Sequence, residues 1–138
     1  MPNWVNPDSA SWGAFDAQVQ RFGTPTAVWI QLCPYPTLAT AEEVRTIIAN
    51  THEHAPGATV YITGIPFYEE SPVCRLFVAD APAVVDALAQ EAAADASNAV
   101  TYPGTFGPLP DEMVAGDACH PNAAGADFLG EQALGYWG

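Results

Sequence analysis

From Thr26 to Ile65 the chain reads strand, helix, strand, and that order commits it to a parallel pair. Thr26–Leu32 (TAVWIQL) and Ala58–Ile65 (ATVYITGI) are short runs rich in β-branched and aromatic residues, the composition of buried strands. Between them Thr40-Ala-Glu-Glu43 forms a capping box: the threonine hydroxyl can accept from a backbone N–H three residues on, and the glutamate can reach back. It opens a helix to about His54 with Val44, Ile47 and Ile48 turned inward, and Pro56-Gly57 stops it. Two strands joined through a helix cannot close as a hairpin. They lie parallel, with the helix crossing one face of the sheet.

The flanking segments extend the same pattern. Asp8 or Ser9 can cap a first helix in which Trp12, Phe15, Val19 and Phe22 form one apolar stripe, ended by Gly23 and Pro25. After the second strand, Asp80 and Pro82 start an alanine-rich helix to about Ala96. Ala99–Tyr102 is a third, short strand. A Gly/Pro-rich stretch, Pro103–Pro110, follows, and Asn122 caps a last helix carrying Phe128, Leu129 and Leu134. The order predicts an α/β fold: a three-layer α/β/α, flavodoxin-like unit with a short parallel sheet of about three strands. With 138 residues, 49% of them hydrophobic, residues 1–138 suffice for a single domain with one core. Trp4, Trp12 and Trp29 read as core aromatics, and Tyr136-Trp137 as a plug on the sheet.

Charge narrows the partners. Asp and Glu total 16 against three arginines (Arg21, Arg45 and Arg75) and no lysine, a net charge of −13. Such a surface offers no basic patch to displace the counterions of nucleic acid, and it repels anionic membranes. The apolar runs are strand-sized, so no membrane span is expected. Met1-Pro-Asn-Trp4 lacks the basic-then-apolar pattern of a secretory signal.

Cys33, Cys74 and Cys119 match no zinc spacing. One disulfide plus a free thiol fits an exported protein, and three thiols a cytosolic one; the reading leans to secreted. Cys74 with Cys119 is the expected pair if any exists, closing a loop whose chain entropy is worth roughly 4 kcal/mol and leaving Cys33 free. His52 and His54 stand two apart at a helix end. They do not share a face, so no metal site is expected there, and a cation near a helix C-terminus is favourable in itself.

The chemistry concentrates in Asp117-Ala-Cys-His120-Pro121-Asn122-Ala-Ala-Gly125. A carboxylate three residues before a histidine can fix the imidazole tautomer and stabilise the imidazolium when the histidine acts as a base. On the residues alone the pair is equally a hydrogen bond at a helix start. Cys33 and Tyr35 follow the C-terminal end of the first strand, where open α/β sheets place ligand sites. Tyr35 can offer a hydroxyl donor to an oxyanion or pack among its prolines. Cys33 can act as a thiol nucleophile with His120 or be a packed or bridged cysteine.

D-x-x-H-P-N-x-x-G resembles the last sequence block of the SGNH (GDSL-type) esterases and lipases. Two further segments agree in order and spacing. Ala27–Pro36 is similar to the strand and turn that lead into that family's G-x-N-D block, and Glu43–Tyr68 to its next helix, strand and G-x-P turn. The resemblance spans nearly the whole chain and implies a carboxylic ester hydrolase without cofactor, in which His120 takes the proton of a serine and Asp117 orients His120. The departures fall on the chemistry. The Gly-Asp-Ser nucleophile block has no counterpart, so the resemblance implies a domain truncated on its N-terminal side. Tyr35 stands at the oxyanion asparagine and Cys33 at the glycine. Ser9, Ser11, Ser71 and Ser97 are the only serines, and none sits in a Gly-x-Ser turn after a strand.

The expectation is therefore part of an ester hydrolase (acyl or acetyl esterase or lipase) that retains the acid–base pair, acts on a small ester once the nucleophile segment is supplied, and is inactive alone by that mechanism. One alternative is a non-catalytic binding or assembly protein on the same fold. Another is an esterase with a different nucleophile such as Cys33. A chain of this kind leaves the edge of Thr26–Leu32 open to a dimer or to strand pairing.

Overall fold

The computed structural model describes residues 2–34, 38–69 and 80–137. The elements run α1 (Pro2–Val5), α2 (Ala10–Phe22), β1 (Ala27–Gln31), α3 (Ala41–His54), β2 (Thr59–Thr63), α4 (Ala81–Ala94), β3 (Val100–Thr101) and α5 (Ala123–Trp137). The three strands form one parallel sheet in the order β1-β2-β3. Its register sets Ala27 beside Thr59 and Val60 beside Val100.

The period of two divides the sheet into unlike faces. Ile30, Leu32, Val60 and Ile62 point to one side and pack with Val44, Ile47 and Ile48 of α3 and Val85 and Ala89 of α4. The capping box that starts α3 is complete: Thr40 Oγ1 accepts from Glu43 N–H at 3.2 Å, and Glu43 Oε2 accepts from Thr40 N–H at 2.8 Å. Gly64 lets the end of β2 meet α4, since a Cβ there would lie 2.8 Å from the Asp86 backbone nitrogen. The buried Asp86 carboxylate accepts from Tyr102 Oη and Gln90 Nε2, both at 2.7 Å, so it is not left bare in the core.

Trp29, Tyr61 and Thr63 take the opposite face. Trp29 Nε1 donates to Thr63 Oγ1 at 2.8 Å, and its ring meets Phe106 and Trp137 at 5.3 and 5.2 Å. Trp137 also reaches Tyr61, so the C-terminal turn of α5 covers this face with aromatic side chains. The plug expected of Tyr136-Trp137 is this cluster.

At the N-terminus Trp12 is buried and stacks on His54, with ring centroids 4.4 Å apart. Its indole N–H and the amide of buried Asn50 both donate to the Trp4 carbonyl, tying α1 to α2 and α3. The apolar stripe of α2 fades toward its end, where Phe22 is 71% exposed. Leu134 of α5 is exposed to the same degree. Among the described residues β1 is an edge strand, and Trp29 on it remains 43% exposed. Among the described residues no helix is long and apolar enough to cross a membrane.

Candidate functional site

Parallel strands deliver their C-terminal ends to one edge, and there the described segments after β2 and β3 meet. The stretch Phe67–Glu69 after β2 pairs with Phe106–Leu109. Phe67 N–H donates to Phe106 O at 2.9 Å, Leu109 N–H to Phe67 O at 2.8 Å, and Glu69 N–H to Leu109 O at 3.1 Å. Gly107, at φ +95°, permits this approach, because a Cβ would fall 2.5 Å from the Phe67 carbonyl oxygen. The pairing brings Tyr68 Oη to the Cys119 carbonyl, to which it donates at 2.6 Å.

The loop that follows builds the Asp–His pair from local bonds. Asp117 Oδ1 accepts from the backbone N–H of Cys119 and of His120, each at 3.0 Å. Ala118 between them sits in the left-handed region at φ 58°, a conformation that a β-carbon disfavours. With Oδ1 so engaged, Oδ2 faces the imidazole and lies 2.5 Å from His120 Nδ1. The His120 side chain, donating to the carboxylate, and then the two backbone N–H groups hold the Asp117 carboxyl well below the usual carboxylate range. A permanent anion on Nδ1 favours the Nδ1–H tautomer and leaves Nε2 as the basic nitrogen. The His120 side chain is 69% exposed and that of Asp117 50%, so Nε2 is open to solvent.

The rest of the motif holds this loop to α5. Val114 bridges Pro121, and Ala115 N–H donates to His120 O at 2.7 Å. Asn122 Oδ1 accepts from Gly125 N–H at 3.0 Å, the cap of α5, while its Nδ2 donates to Glu112 O at 2.7 Å. Gly125 is buried against the Met113 carbonyl, where no Cβ fits.

Tyr68 was not legible as a site residue. The pKa of its hydroxyl is raised first by burial, then by the negative charge of Asp117, and least by Cys33. The signal in the sequence is its position just past the second strand, at the edge where the motif has to arrive. Cys33 is an exposed free thiol at the end of β1, and Cys119 is disulfide-bonded. Tyr35, Cys74 and Ser71 lie outside the described residues. Ser9 Oγ donates to the Asn3 carbonyl and Ser97 Oγ to Asp95, both away from this edge. His52 and His54 part company, His52 meeting the Asn98 carbonyl and His54 the Asp16 carboxylate. Among the described residues no three His, Cys, Asp or Glu side chains gather as a metal site would require.

No protein-family model, curated protein or solved structure matches the chain.

Proposed function

We propose that this chain carries the acid–base half of an SGNH-type serine ester hydrolase. Asp117 orients His120, and the serine nucleophile comes from residues outside these 138. The observation that supports the reading is the exposed His120 Nε2, backed through Nδ1 by a carboxylate with two further hydrogen bonds, at the C-terminal edge of a parallel sheet. In that role Nε2 accepts the proton of an attacking hydroxyl, Asp117 balances the imidazolium, and the proton passes to the departing alkoxide. An acyl or acetyl ester is the substrate class, and no cofactor takes part. The disulfide at Cys119 fits an oxidising compartment and hence an exported protein.

The test has two arms. The purified chain is expected to give no turnover of short p-nitrophenyl esters. Extended at its N-terminus by a βα unit whose strand carries a Gly-Asp-Ser turn, about 50–70 residues, it is expected to gain turnover that His120→Ala abolishes. A folded extended chain without turnover overturns the reading. Turnover by the purified chain alone that is lost in both His120→Ala and Cys33→Ala assigns the nucleophile to the Cys33 thiol instead.

A second reading is a non-catalytic assembly protein on the same fold. The open edge of β1, with Trp29 exposed on it, favours that reading.

A further inference from the structure

Every residue of a strand directs its N–H and C=O to the same side, and successive residues alternate. Leu32 N–H donates to Thr63 O at 2.8 Å, and Thr26 O accepts from Thr59 N–H at 2.9 Å. The even-numbered residues of β1 therefore face β2. Ala27, Trp29 and Gln31 turn their backbone groups outward, and among the described residues no backbone group pairs with them. Along this edge runs a cavity of about 300 Å³ walled by Trp4, Trp12 and Phe15 on one side and β1 on the other. None of its lining residues carries a formal charge. On the opposite face Trp137 covers part of Trp29.

We infer that a second copy of this chain occupies the edge. The two β1 strands run antiparallel across a two-fold axis at Trp29, joining two three-stranded sheets into one of six. Three observations carry this occupant. The outward residues are symmetric about Trp29, so one register sets Ala27 opposite Gln31 of the second copy and Trp29 opposite its own counterpart. Each of these is then a hydrogen-bonded pair. Trp4, Trp29 and Trp137 remain 38, 43 and 36% exposed. Together they offer roughly 300 Å² per copy, about half of what each side of a minimal specific interface buries, before any strand backbone is counted. The edge lacks the lysine or proline within β1 that would discourage pairing. Two chains of net charge −13 repel at long range. The seam itself is uncharged, and salt screens the rest beyond about 8 Å at physiological strength. Association therefore tightens as salt is added.

This inference names the partner for the assembly reading and rests on it; it does not depend on catalysis by His120. Sedimentation velocity of the full chain at micromolar concentration, at low and physiological salt, tests it together with hydrogen exchange. Gln31→Pro is the variant of choice, because the Gln31 N–H points outward and its loss removes no β1–β2 bond. The expected result is a dimer, tighter at higher salt and at least tenfold weaker in Gln31→Pro. The amides of Ala27, Trp29 and Gln31 are expected to exchange as slowly as those of Val28, Ile30 and Leu32. Exchange on the unaltered chain decides the matter even if Gln31→Pro does not fold. A monomer with fast outward amides overturns the second copy and leaves the assembly reading to a strand from another protein. A monomer with slow outward amides shows the edge closed from within and overturns both. A dimer untouched by a folded Gln31→Pro variant overturns this edge as the seam.

Discussion

Asn122 holds the His120 loop to α5 through both ends of its amide, and truncating it has a calculable cost. Its Oδ1 caps the helix by accepting from Gly125 N–H, and its Nδ2 donates to Glu112 O. Loss of an N-cap side chain costs about 1 kcal/mol, and loss of a neutral, partly solvated hydrogen bond about 0.5–1 kcal/mol. Asn122→Ala should therefore destabilise the fold by about 1.5–2 kcal/mol. A chain of 138 residues gains roughly 0.3 kcal/mol/K of unfolding entropy near its midpoint, so Tm should fall by about 5–7 °C. Asn122→Asp separates the two bonds. It keeps an acceptor at the helix N-terminus, where negative charge is favourable, but loses the donor to Glu112 O, so its loss should be about half. Thermal melts followed by circular dichroism provide the assay. An Ala variant melting within 1 °C of the parent, about the error of such a melt, or an Asp variant as costly as Ala, would refute the account.

Three further expectations concern the site and the core. In Asp117→Asn, Oδ1 can still accept the Cys119 and His120 N–H groups, which turns the amide NH₂ toward His120 Nδ1 and shifts the imidazole to the Nε2–H tautomer; imidazole ¹⁵N shifts read this directly. The folded-state pKa of Asp117 is depressed, so its stabilising contribution is present above the unfolded value of about 3.9 and is lost as pH falls through the folded one. Acid-unfolding curves of the parent and Asp117→Asn should therefore still lie apart at about pH 5 and converge only as pH falls below about 4; convergence already at about pH 5 would contradict the assignment. Gly64→Ala pushes a methyl into the α4 backbone at Asp86 and should cost about 1–3 kcal/mol, measured by urea unfolding.

The parts of this fold that were readable in the sequence are those set by local rules. The capping box at Thr40 and Glu43, the β-branched runs of β1 and β2, and the Asn122 cap each depend on residues a few positions apart. The Asp117–His120 geometry belongs with them, since three residues separate the partners. What was not readable depends on what lies across space. Phe22 continues the apolar stripe of α2, but periodicity cannot say that the neighbouring element stops short of it. The run TAVWIQL has the composition of an interior strand, and its open edge was expected only from the missing nucleophile strand of the resemblance, because composition records suitability for burial and not the presence of a neighbour. Tyr68 joins the site through a carbonyl 51 positions away, a pairing that no local pattern encodes.

The left-handed turn at Ala118 closes the Asp–His loop on itself, so the pair is prefabricated. Its internal distances arise within four consecutive residues and owe nothing to the sheet. Its aim is set separately, by the Tyr68 hydroxyl on the Cys119 carbonyl and by the Asn122 anchor. Shape and aim are thus independent variables. Changes at Tyr68 or Asn122 would swing an intact pair, as a turret turns without altering its gun. Changes at Asp117 or Ala118 would spoil the pair where it stands. A drift in the outer anchors would leave His120 chemically competent and pointed elsewhere, which makes these anchors the natural place for selection to redirect the imidazole toward a different partner.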